Sequence, residues 1–208
     1  MLVSCNGDVA PPKTPPPPET PPTPDEMVEE ALRSLQILNV IPPDVPLQLL
    51  LAPEGRDQLL AYVRQWKTQA DATEGGTPAV KELTTDLEAR MKQARQDQNA
   101  ALMLVLCDLV EELGSKKGII GRYREWARIH NNRPVVKLKG WFEFEEEGAE
   151  QVYAFCEVYL PDTEEVRRVV VEEGEEFLGL QFLEIIGKRR GMRLRYLATK
   201  DTFEVHGP

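Results

Sequence analysis

The chain has 208 residues, 41% hydrophobic and 29% charged, with a formal net charge of −10 at pH 7. This is a globular composition with room for one ordinary domain or two small ones. Its acidic balance repels phosphate backbones, so no nucleic acid is expected as a partner. Three cysteines without CxxC spacing and only two histidines, His130 and His206, argue against a zinc site. No apolar run approaches the ~20 residues of a membrane span.

The chain opens with Leu2-Val3-Ser4-Cys5, the pattern of a bacterial lipobox, in which Cys5 would receive the lipid. Nine prolines between Pro11 and Pro24 follow, a stretch suited to an extended polyproline leash rather than a core. Residues 1–23 therefore read as a lipobox-like start and a proline-rich tether. A secretory signal needs a charged segment and roughly 7–15 apolar residues before the cleavage site, and only Met1 precedes Leu2 here. The other reading of the same residues is a flexible tail with a free thiol.

Helical periodicity governs residues 24–133. Thr23-Pro24-Asp25-Glu26 predicts a capping box, with Met27, Ala31, Leu32, Leu35 and Leu38 on one helical face. A second helix is expected after Pro53, turning Leu59, Leu60, Val63 and Trp66 inward. Thr73 to Pro78 reads as a linker, and one long helix is predicted from Pro78 to Leu113, stopped by Gly114. A fourth helix carries Ile119, Ile120, Tyr123, Trp126 and Ala127 along one stripe, with His130 near its end.

At Pro134 the period changes to two. Val136, Leu138, Gly140, Phe142 and Phe144 predict one face of a strand, with Trp141 as an exception to the alternation. Further strands are expected at 152–160, 166–171, 180–186, 192–197 and 202–205, separated by short turns. The fold class is therefore α+β: a helical region of about four helices over 24–133, then a small all-β module over 135–208. That module is expected to be a six-stranded antiparallel β-sandwich or partly open barrel.

Chemistry-bearing motifs are scarce. GxGxxG, P-loop, GxSxG and HExxH patterns do not occur, so no enzyme activity, cofactor or metal is expected. The glutamates at Glu145–Glu147, Glu172–Glu173 and Glu175–Glu176 read as solvated turns. Lys188, Arg189, Arg190, Arg193 and Arg195 gather on one predicted hairpin and are candidates for partner docking, or for edge protection. If Cys5 carries lipid, Cys107 and Cys156 remain as an even pair; they read either as a disulfide or as two buried thiols.

The run Val169 to Ile186, with Met192 to Leu197 and Thr202 to Val205, resembles the small β-module of the PilP pilus lipoproteins and of the type II secretion inner-membrane component. Gly174, Glu176, Ile185, Leu194, Tyr196 and Phe203 occupy the matching positions. The resemblance spans about 70 residues and does not include the helical region. It implies a periplasmic, lipid-anchored adaptor whose partners are an inner-membrane platform and a secretin-like protein. A cytoplasmic interaction module with a proline-rich tail is the alternative.

Overall fold

The computed structural model describes residues 21–115, 118–146 and 149–207. Helix α1 (Pro24–Ser34) starts with the predicted capping box: the Glu26 amide donates to the Thr23 hydroxyl, and the Thr23 amide donates to the Glu26 carboxylate at 2.8 Å. These bonds occupy donors that a bare helix end leaves unpaired. A 3-10 turn, Gln36–Val40, and a four-residue helix α2 (Leu47–Leu50) lead to α3 (Pro53–Asp71). Val63 and Trp66 of α3 are buried as expected, and the Trp66 indole donates to the Met27 carbonyl.

The expected long helix is two helices, α4 (Gly76–Gln96) and α5 (Ala100–Glu112). Gln98 takes a left-handed φ of 54°, and the Asn99 side chain accepts from the Leu102 amide, starting α5 afresh. Its own amide group donates to the Ile41 carbonyl, so one buried asparagine both caps α5 and pins the connection after α1. The turn lets α5 fold back against α4 and places Met103, Leu106 and Leu109 at the core centre. Helix α6 (Gly118–Asn131) closes the bundle, so among the described residues the helical region has six α-helices rather than about four.

Among the described residues seven strands follow: β1 (Val135–Glu146), β2 (Ala149–Leu160), β3 (Glu165–Glu172), β4 (Glu176–Phe177), β5 (Leu180–Ile186), β6 (Gly191–Tyr196) and β7 (Thr202–His206). They form two antiparallel sheets, β1-β2-β3 and β4-β5-β6-β7, which do not close into a barrel. Leu138, Cys156, Val158 and Val171 of the first sheet meet Leu180, Phe182, Met192 and Leu194 of the second. Strand β4 is the one missed in the sequence; two residues carry no period to read.

Only three residues, 132–134, separate α6 from β1, and the two regions are fastened there. The Tyr196 hydroxyl donates to the Ile129 carbonyl at 3.1 Å, satisfying an acceptor that the helix end cannot fill. The Arg133 guanidinium lies 4.7 Å from the centre of the Phe203 ring and pairs with Asp44. Buried Asn131 accepts from the Leu47 amide at 2.7 Å and donates to Gln48, capping α2 from a distance of 84 residues in sequence.

The connection from α3 to α4 depends on backbone contact. A Cβ on Gly76 would stand 1.6 Å from the Ala70 carbonyl oxygen, whereas one on Gly121 of α6 would meet open space. Gly76→Ala is expected to lower stability by about 1–3 kcal/mol or more through overpacking. Gly121→Ala is expected to raise it by about 0.5–1 kcal/mol through helix propensity. Urea unfolding of the two variants checks this opposition of sign.

Candidate functional site

The outward face of the first sheet is set by a bulge. Register between β1 and β2 shifts between Leu138 and Gly140. Before it, Val136 and Leu138 point inward; after it, the parity inverts. Trp141 therefore packs inside, with its ring 6.2 Å from that of Phe182, and Phe142 turns outward with 46% of its surface exposed. The expectation that Phe142 shares a face with Leu138 is corrected by this extra residue. The side chain of Phe144 lies outside the described residues.

The register then arranges the outer face in cross-strand rows. Val135, Tyr159 and Val166 form the first row, and Lys137, Glu157 and Arg168 the second. Gly140, Phe155 and Val170 form the third; Phe142, Tyr153 and Glu172 the fourth. Phe142 and Phe155 meet edge to face with ring centres 6.0 Å apart. Val166 and Val170 are 59% and 52% exposed. Through the middle, Glu157 pairs with Lys139 and Arg168, each at 3.8 Å. An apolar face crossed by one charged row is the anatomy of an interface with hydrophobic contact and polar register marks.

The predicted basic hairpin forms, with Lys188 and Arg189 in left-handed conformation at its tip. Its arginines have local partners. Arg193 is held between Glu184 and Glu204, and Arg189 pairs with Glu143 of β1, which ties the tip to the first sheet. Arg195 donates to Gln181, while the Arg190 carbonyl accepts from the Gly207 amide. Lys188 and Arg190 are exposed at the tip. The hairpin's positive charge is therefore partly matched within the molecule, in a way that residue spacing alone does not reveal.

Several acidic residues also take structural roles. Glu175 accepts from the Glu172 amide, and Glu173 accepts from the Ile185 amide. Asp108 of α5 receives Arg56 of α3 and Arg124 of α6 together, at 2.8 Å each, joining three helices. His130 donates from Nδ1 to the Trp126 carbonyl at 2.8 Å and lies 3.6 Å from Asp201 across the junction. With Asp44, Arg133 and Tyr196 it lines a cleft of about 340 Å³ between the two regions. Among the described residues no group of histidine, cysteine and carboxylate side chains is placed to hold a metal ion.

The disulfide reading is corrected. Cys107 and Cys156 are free and buried in separate cores, the first among helices and the second between sheets. Cys156 lies 3.6 Å from the Met192 sulfur. Cys5 and the proline-rich residues up to 20 lie outside the described residues. No helix of the described residues is long and apolar enough to cross a membrane. Comparison with protein-family models, curated proteins and solved structures returned no match.

Burial pushes both core thiols up to about 11, well above the ordinary cysteine range. Both should stay protonated at pH 9 and shielded from reagents. In a Cys5→Ser chain, a maleimide or disulfide reagent is expected to modify neither thiol in the native state at pH 8–9. Both should react once urea unfolds the chain. Prompt labelling of either in the folded protein contradicts this burial.

Proposed function

We propose that this chain is a non-enzymatic adaptor of a bacterial envelope assembly of the type IV pilus or type II secretion kind. It is tethered by lipid at Cys5 and binds partners through its β region. The observation that carries the binding role is the exposed apolar face spanning β1, β2 and β3. Phe142, Val166 and Val170 stand on it, and Glu157, ion-paired with Lys139 and Arg168, supplies register. The tether reading is supported by Leu2 to Cys5 and the prolines after it. The choice of machine is supported by the resemblance of residues 169–205 to the PilP-type module. In this reading the helical bundle is a platform-binding element, and the exposed Lys188 and Arg190 add positive charge for an acidic partner.

Two measurements test the parts separately. Replacing Cys5 by Ser in the full-length gene of the native host is expected to move the protein from the membrane to the soluble fraction. Continued sedimentation with membranes removes the lipid from the reading. A photo-crosslinking residue at position 142 is expected to trap a secretin-like or inner-membrane platform protein. Phe142→Glu should weaken that partner by about 10–30-fold, the loss of one aromatic anchor. Crosslinks confined to cytoplasmic proteins favour the alternative of a cytoplasmic interaction module.

A further inference from the structure

Strand β3 is an open edge. Among the described residues it has a neighbour on its β2 side only. Its eight residues read Glu-Val-Arg-Arg-Val-Val-Val-Glu, with β-branched residues at half the positions and no proline, glycine or bulge. A bare row of amides and carbonyls invites another strand, and the charged side chains of Glu165, Arg167, Arg168 and Glu172 are what guards this edge.

The hydrogen-bonding side of this edge follows from Glu172. Its amide donates to the Glu175 carboxylate and its carbonyl accepts from the Glu175 amide, both at 3.1 Å, so its main chain points away from β2. In an antiparallel ladder that direction alternates, and the β2–β3 register runs unbroken from Glu165 to Glu172. The amides and carbonyls of Val166, Arg168 and Val170 therefore face outward too. Among the described residues, no backbone bond outside the β2–β3 ladder engages them. Their side chains are on the outer face of the sheet, as the rows above show.

Charge along the strand fixes what fits. Carboxylates at Glu164, Glu165, Glu172 and Glu173 flank the cations Arg167 and Arg168. When a second copy runs antiparallel about a two-fold axis through Val170, Arg168 stands opposite Glu172 of the copy. Val169 then stands opposite Val171, and Val170 meets itself. The register centred on Arg168 instead sets Arg168 against Arg168, a like-charge pair that destabilises a sheet. We propose that β3 pairs with β3 of a second copy about Val170, joining two three-stranded sheets into one of six strands. This rests on the outer face being the binding surface, which the pairing doubles and makes continuous.

Bonding at Val170 uses groups with no competitor outside the β2–β3 ladder among the described residues. At Glu172 the incoming Arg168 carbonyl replaces the exposed Glu175 carboxylate on the amide. The edge alone is small beside the ~1,000 Å² of a stable interface, so the dimer is weak, in the micromolar to sub-millimolar range.

Sedimentation of the purified 208-residue chain in 0.15 M salt, from low micromolar to near millimolar, should show a reversible monomer–dimer equilibrium. Arg168→Glu alone and Glu172→Arg alone should each weaken it by about tenfold or more, since symmetry loses two cross-strand pairs at once. The double variant should restore it. Arg168→Glu also loses the Glu157 pair, so circular dichroism checks that the fold persists; amide exchange on the unmodified chain gives a reading free of substitutions. There the Val170 amide should gain protection as concentration rises. A chain monomeric throughout, a dimer indifferent to either single variant, a double variant that fails to recover, or a Val170 amide blind to concentration overturns the proposal. These readings involve no envelope protein, so the adaptor role stands or falls separately on fractionation and crosslinking.

Discussion

The end of α6 is the point on which the arrangement depends. A helix leaves its last carbonyls without partners, and burying them unpaired costs a kcal/mol or more each. Here the β module supplies what is missing: the Tyr196 hydroxyl reaches the Ile129 carbonyl from β6. In the same turn Asn131 turns back to hold the start of α2, and Arg133 covers Phe203. One short stretch thus satisfies polar groups from three separate parts of the chain. The β sheets, small for a free-standing domain, are held in a fixed relation to the helices by that saturation.

A second constraint is the single extra residue between Leu138 and Gly140. Side chains on a strand alternate strictly, so one inserted residue exchanges the two faces beyond it. It sends Trp141 into the core against Phe182 and brings Phe142 out beside Phe155. The aromatic character of the outer surface is therefore a consequence of backbone register, not of composition. The same sheet leaves β3 at its margin, with Val166, Arg168 and Val170 turned to the outer face.

Legibility in the sequence was uneven for physical reasons. The capping box at Thr23 and the inward Val63 and Trp66 were readable, because caps and helical periods are local signals. The break at Asn99 was not, since Ala100 to Val110 continues an apolar run that hides a turn made by a left-handed Gln98 and a side-chain cap. Trp141 did announce the bulge by violating the alternation, but a violation alone does not say on which side the chain resumes. The arginines of the β5–β6 hairpin looked like a free cationic patch; Glu143, Glu184 and Glu204 reach them only after the strands have paired.

Composition and local pattern determined the α+β order, the boundary near Pro134 and the absence of familiar reactive motifs, since these depend on neighbours a few residues apart. Tertiary structure decided the rest. It sorted Cys107 and Cys156 into separate cores, exposed Phe142, neutralised Arg193 and left the β3 edge open. Each of those outcomes depends on which strand or helix arrives alongside, and contacts between residues dozens of positions apart are invisible to any reading of local spacing.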